Sequence, residues 1–173
     1  MIISLAFYGM STFEGPLMSI KEVNALSHYT DWTVGHVHAG ALGWVAFITF
    51  GAMYKMVPWI WQREGTYSLK LEALHFWFAL SGTLIYVGAM WNSGITQGLM
   101  WRTYTESGTL AYSFVDTLVA MHPYYIARAF GGLLFLTGAC IGFWNVVMTI
   151  RHVPRLTPER DHPKASEGLE QAL

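Results

Sequence analysis

Three stretches of the chain carry no Asp, Glu, Lys or Arg: Trp32 to Tyr54, Ala73 to Trp101 and Ala129 to Ile150. About 20 apolar residues cross the hydrocarbon core of a bilayer as an α-helix, so each stretch is long enough to do so. A fourth apolar segment, Ile2 to Ile20, is broken only by Glu14 and contains Gly9, Gly15 and Pro16. No basic region precedes it and no small-residue cleavage pattern follows, so it reads as a span and not as a signal peptide. The pattern predicts spans over about 2–20, 32–57, 73–93 and 124–150. The second stops at Pro58, where Trp59 and Trp61 suit the membrane interface. Gly131 and Gly132 in the last span suit close helix contact.

Between the spans lie a polar link, Lys21 to Asp31, and a loop from Gln62 to Glu72 with Arg63, Glu64, Lys70 and Glu72. The stretch Gly94 to Pro123 mixes aromatics with Arg102, Glu106 and Asp116, and is expected to lie along the membrane surface. From Arg151 the composition changes to Pro154, Pro158, Pro163 and mixed charges, which predicts a disordered tail over 152–173. The expected fold is an all-α membrane protein of about four transmembrane helices within residues 1–151.

Composition narrows the function classes. Of the 173 residues 53% are hydrophobic and only 12% charged, against about 25% charged in a soluble domain. A soluble enzyme is excluded. The net charge of −1 with dispersed basic residues argues against a nucleic-acid partner and leaves membrane lipid as the surroundings. A single cysteine, Cys140, excludes a disulfide framework and a thiolate metal site. Lys55, Arg63, Lys70, Arg151, Arg155, Arg160 and Lys164 lie on one side of the predicted topology and Lys21, Arg102 and Arg128 on the other. That bias places the C-terminus in the cytoplasm.

Ionisable residues inside a span are functional candidates by default. His36 and His38 fall about one turn inside the second span. Successive helical residues turn by about 100°, so the two imidazoles point about 200° apart and cannot close on one ion. Each can reach a separate group on opposite sides of one helix. Imidazole is an ordinary axial ligand of haem iron, and Gly35, Ala39, Gly40 and Gly43 leave room for flat macrocycles. The plainer alternative is two interior histidines bonded to neighbouring helices. Glu14 either bonds a neighbouring helix or accepts the second N–H of an iron-bound histidine. His28 and Asp31, at the outer end of the second span, are either interfacial polar residues or partners of haem propionates, an ion or water. Arg128 either pairs with a propionate or snorkels to the interface. His75 and His122 read as interfacial, and His152 and His162 as tail residues.

The stretch His28-Tyr-Thr-Asp-Trp-Thr-Val-Gly-His36-Val-His38-Ala-Gly resembles the catalytic subunit of the haem-copper oxidases. Its flanks, FYGMSTFEGPLMSIKEVNALSHYTDWTVGHVHAGALGW, YSLKLEALHFWFALSG, SGITQGLMWRTY and AMHPYYIARAFGGLLFLTGA, are similar to subunit I of the cbb3-type cytochrome c oxidases up to about Arg151. The aa3-type pattern places Asp directly after the upstream histidine, whereas Tyr29 stands there and Asp31 follows two residues later.

This resemblance implies that His36 is the proximal ligand of a high-spin haem b3 and His38 one of two axial ligands of a low-spin haem b. It implies that Glu14 accepts a hydrogen bond from the His36 imidazole and that His28 lies by the propionates, with Asp31 nearby. It implies reduction of oxygen to water, with protons consumed and a proton gradient formed, in a bacterial inner membrane. Electrons would come from cytochrome c through membrane-anchored c-type cytochrome subunits. The spans would be the last four of twelve. The family's copper ligands, its cross-linked tyrosine and the second low-spin haem ligand match nothing in this sequence, so copper and the N-terminal part of subunit I are expected from elsewhere. A fragment, a truncated gene or a split gene is the expected explanation. A non-catalytic membrane b-type cytochrome and an inactive remnant are the alternatives.

Overall fold

Two long helices packed backbone against backbone form the spine of the molecule. The computed structural model describes residues 1–156; the end of the expected tail, with Arg160, His162 and Lys164, lies outside the described residues. The chain runs through α1 (Ile2–Ser19), α2 (Lys21–Ser27), α3 (Asp31–His38), a π-helical segment (Ala39–Ala46), α4 (Phe47–Ile60), α5 (Leu69–Met100) and α6 (Phe114–His152). Among the described residues the only β pairing is two isolated bridges, Arg63 with Arg155 and Tyr104 with Leu110. The all-α membrane architecture expected from the sequence is the one observed.

Among the described residues, three helical units are long and apolar enough to cross a membrane: Asp31–Ile60, Leu69–Met100 and Phe114–His152. The first joins α3, the π segment and α4. At 18 residues, α1 is about 27 Å long, but Ser4, Ser11, Thr12 and Glu14 dilute its apolar character, and it falls short of that measure. The expected fourth span is therefore a helix of more polar composition, interrupted by Pro16 without being ended by it.

Both long helices outrun the spans read from charge. α5 has 32 residues and α6 has 39, about 48 and 58 Å, so both project beyond a hydrocarbon core of about 30 Å. The surface connection expected over 94–123 is corrected accordingly. Only residues 101–113 are non-helical, a short turn closed by Thr105 N–H to the Thr109 carbonyl at 2.8 Å. A local signal fixes where α6 starts: Ser113 and Asp116 form a reciprocal capping box. The polar link before α3 likewise holds a short helix, α2.

Close approach of α5 and α6 depends on glycine. A Cβ at Gly82 would lie 2.6 Å from the Gly131 carbonyl oxygen, and one at Gly131 would lie 2.8 Å from the Gly82 carbonyl oxygen. Gly132 does not share this seam: its Cβ would meet only the Tyr86 ring, at 4.0 Å. Gly131→Val therefore forces a branched side chain into the α5 backbone. The expected cost is about 1–3 kcal/mol, read as earlier loss of helical circular dichroism when SDS is titrated into mixed micelles. Gly132→Val is expected to unfold with the parent chain.

The opposite end of the pair is closed by the 61–68 loop. Asn145 of α6 accepts from Ser68 N–H at 3.1 Å and donates to the Ser68 carbonyl at 3.0 Å. Thr149 Oγ1 accepts from Tyr67 N–H at 2.9 Å. Arg63 donates to the Ile150 and Val153 carbonyls, which satisfies unpaired acceptors at the C-terminal end of α6.

Candidate functional site

The site is built at the junction of α1, α3 and α5. Tyr29 adopts φ 61°, a left-handed conformation unusual for a non-glycine residue, and turns the chain between α2 and α3. Thr30 then caps α3, its hydroxyl oxygen accepting from Trp32 N–H at 3.3 Å. Directly after His38 the helix widens into the π segment. Such segments are frequent at functional sites because they change the face that a helix presents. Here the widened stretch lies against α1, and Gly43 sits so close to Phe7 that a Cβ there would collide with the ring. This contact holds α1 alongside the histidine-bearing turn and brings Glu14 opposite His36.

Glu14 is 6% exposed. One carboxylate oxygen accepts from the Trp32 indole N–H at 2.6 Å, and the other lies 3.3 Å from His36 Nδ1. His38 faces the other way. Its Nδ1 lies 2.8 Å from the Val34 carbonyl oxygen, its Nε2 lies 3.3 Å from the Tyr86 hydroxyl, and its ring stacks on Tyr86 at 4.6 Å. One histidine thus addresses α1 and the other α5, as positions two apart on a helix must.

These contacts set the tautomers. A carbonyl oxygen only accepts, so His38 Nδ1 carries the hydrogen, and in the neutral ring Nε2 carries the lone pair. A carboxylate facing His36 Nδ1 imposes the same choice. When neutral, both imidazoles are therefore in the form that ligates a metal through Nε2, with the second nitrogen held by an acceptor. Imidazoles in this form could each hold a haem iron through Nε2. Tyr86 donates to His38 Nε2, so a ligand on that nitrogen requires the Tyr86 side chain to turn away.

The remaining candidates separate into two places. Asp31 accepts from the Ser93 hydroxyl at 2.6 Å, and its backbone N–H donates to the Gln97 side-chain oxygen at 2.7 Å. Gln97 in turn donates to the Tyr125 hydroxyl at 3.4 Å, and Arg128 lies over the Tyr125 ring at 4.7 Å, with Nη1 3.8 Å from Met90 Sδ. Asp31 and Arg128 thus belong to one network that ties α3 to α5 and α6. His28 stands outside it, exposed, with its ring 4.0 Å from that of Tyr29.

Trp32, Tyr86, Ser93 and Gln97 carry no sequence signal of their own and emerge only from the packing. His75, expected to be interfacial, is buried by protein: it lies on the second turn of α5, which starts at Leu69, and is 2% exposed. His122 is exposed. Among the described residues no three His, Cys, Asp or Glu side chains are grouped to hold a metal ion.

Comparison with known proteins gives one consistent picture. The sequence family described as cytochrome c and quinol oxidase polypeptide I matches residues 1–134. The bacteroid cytochrome c oxidase subunit 1 homolog of Bradyrhizobium diazoefficiens is 65% identical over 151 residues, covering 87% of this chain and 28% of that protein. The cytochrome c oxidase subunit 1 homolog of Azorhizobium caulinodans is 59% identical over 150 residues, covering 87% of this chain and 27% of that protein. The cbb3-type cytochrome c oxidase subunit CcoN1 of Stutzerimonas stutzeri is 55% identical over 151 residues, covering 87% of this chain and 32% of that protein. The chain thus spans about a third or less of the length of these relatives.

Proposed function

Because the chain belongs to the cytochrome c and quinol oxidase polypeptide I family, we propose that it is the part of a cbb3-type catalytic subunit that ligates both haems from one helix. The observation that carries this reading is the pair of imidazoles on α3, each with Nδ1 held by an acceptor and the two facing opposite neighbours. His36 holds the high-spin haem b3 and His38 the low-spin haem b. When bound, the two irons supply the redox chemistry of a reaction in which oxygen takes four electrons and four protons to give two waters.

The chain's own residues orient and tune. Glu14 accepts the His36 Nδ1–H, which fixes the ring and raises the basicity of its other nitrogen. Trp32 holds Glu14 in place through its indole N–H. The Val34 carbonyl does for His38 what Glu14 does for His36. Asp31, Gln97 and Tyr125 lock the start of α3 to the two long helices, so the ligand-bearing turn is held at a constant depth. Arg128 supplies a cation beside this network for a propionate, and His28 stands at the same end of α3.

The rest of a full-length subunit I would supply the histidine ligands of copper and the other ligand of haem b. Membrane-anchored c-type cytochrome subunits deliver electrons from cytochrome c. The complex works in the bacterial inner membrane, with the C-terminus of this chain in the cytoplasm, and conserves energy as a proton gradient. The test is a reduced-minus-oxidised visible spectrum of the chain purified with its oxidase partners. Both low-spin and high-spin b-type signals are expected. A spectrum with neither removes the oxidase reading and the membrane-cytochrome reading together.

A further inference from the structure

One buried imidazole lies outside the haem-side site. His75 of α5 sits between Phe50 of α4, whose ring meets it edge-on at 4.4 Å, and Gly142 of α6, where a Cβ would collide with the imidazole. The Tyr54 hydroxyl lies 2.9 Å from His75 Nδ1. Nε2 is buried and has no hydrogen-bond partner among the described residues.

Neither neutral tautomer satisfies this ring. If Nδ1 accepts from Tyr54, Nε2–H is a donor without an acceptor. If Nδ1–H donates to Tyr54, the Nε2 lone pair is an acceptor without a donor. Buried polar groups are as a rule paired with protein or ordered water, and water needs room and polar company. Both are present. His75, Tyr54 and Glu72 help line a cavity of about 350 Å³, against about 30 Å³ for one water in the liquid. This cavity shares Gly51, Tyr54, Leu69 and Glu72 with a second of about 850 Å³, whose walls include Lys55, Arg63 and Glu64. These shared residues lie between the buried ring and the charged 61–68 loop, and Tyr54, His75 and Glu72 are the polar positions in the otherwise mostly apolar wall of the first cavity.

The groups around the ring are few. α4 contributes Tyr54, α5 contributes Glu72, and α6 presents Gly142 and the neutral Asn145. α1 adds Met1 and Ile3 to the cavity wall, with the Met1 nitrogen close to Gly51. Ser93, which bonds Asp31, lies 18 positions further along α5, about 27 Å away. His75 therefore stands near the end of the bundle opposite to Asp31.

We propose that His75 and Tyr54 form a hydrated proton-holding site that opens past Glu72 toward the 61–68 loop. An excess proton carried as hydronium in the cavity bonds to the Nε2 lone pair, leaving neutral water behind. Nδ1–H then donates to the Tyr54 oxygen while the ring carries the positive charge. Release returns the proton from Nε2 to water, and no electron moves. The use of this site for protons taken up in oxygen reduction rests on the oxidase reading above.

Two measurements test the proposal. In the chain with ¹⁵N-labelled histidine in lipid nanodiscs, magnetisation transfer between water and His75 Nε2 is expected within seconds, the signal being assigned by its loss in His75→Phe. Absence of exchange after hours in D₂O overturns the site. In the haem-loaded oxidase reconstituted into vesicles, His75→Phe and Tyr54→Phe are expected to leave both haem spectra unchanged and to slow proton uptake by about tenfold or more. Unaltered uptake in both variants overturns the proton-holding role. His75→Gln serves the same comparison where the phenylalanine variant fails to assemble. A parent complex without haem bands would count against the oxidase reading alone, since the exchange measurement needs no haem.

Discussion

Replacing His38 with alanine is expected to abolish the low-spin haem b spectrum while the high-spin signal survives. The two proposed ligands share one helix but no neighbours: His36 is held from α1 through Glu14, and His38 from within its own helix through Val34 and from α5 through Tyr86. Deleting one imidazole leaves the supports of the other in place. A low-spin iron keeps its state only with two strong axial ligands, so loss of one is not a graded effect. The check is a reduced-minus-oxidised spectrum of the assembled His38→Ala oxidase, with a high-spin ligand such as carbon monoxide reporting the second haem. Electron delivery to the high-spin site should fall with it, by at least the 10–100-fold (about) that milder outer-shell changes produce. Loss of the high-spin haem with the low-spin band retained would show that the two assignments are reversed.

Tyr86 adds a second reading of the same experiment. Its hydroxyl donates to the nitrogen that would ligate iron, so this side chain must turn when the haem enters. Tyr86→Phe removes the donor and keeps the ring stacked beside the imidazole. It separates the hydroxyl's competition for Nε2 from the ring's packing without touching the ligand itself.

The membrane helices were legible because exclusion of charge is a property of the local sequence. The stretches around Trp32, Ala73 and Ala129 each report a helix that the structure contains. Their ends were less legible, since charge marks where a helix leaves the hydrocarbon and not where it stops being a helix. Lys70 and Glu72 lie inside the first turn of α5, and Asp116 inside the first turn of α6. Pro123 lies within α6 without ending it. The better signal was the Ser113–Asp116 capping pair, which depends on residue type at fixed spacing and not on hydropathy. The opposed directions of His36 and His38 followed from helical geometry alone. The π segment did not, because no local signal marks it; within it Gly43 packs against Phe7, a contact between residues 36 positions apart. The burial of His75 was not legible for the same reason: it is decided by Phe50 and Gly142 on two other helices. The pairing of Glu14 with His36 was reached through the family resemblance, as no spacing rule links residues on separate helices.

Glu14→Gln is expected to raise the reduction potential of the haem held by His36 without removing it. A carboxylate that accepts the Nδ1–H draws the proton toward itself and leaves the opposite nitrogen more electron-rich, which favours the oxidised iron. An amide oxygen at the same position accepts more weakly and brings no negative charge. Charge-assisted hydrogen bonds are about twice as strong as neutral ones, so a difference of about 1.4 kcal/mol is the scale expected, which is about 60 mV for one electron. Redox titration of the assembled variant, followed at the high-spin haem, reads this directly. The low-spin haem serves as the internal control, because the Val34 carbonyl that supports His38 is untouched. Trp32→Phe sharpens the argument further. It removes the 2.6 Å indole bond and leaves the carboxylate present, so Glu14 should bind the His36 proton more strongly and the potential should move in the opposite direction. Shifts of opposite sign in the two variants identify Glu14 as a tuning residue. Equal shifts at both haems would instead mean that the substitution loosens the α1–α3 contact as a whole.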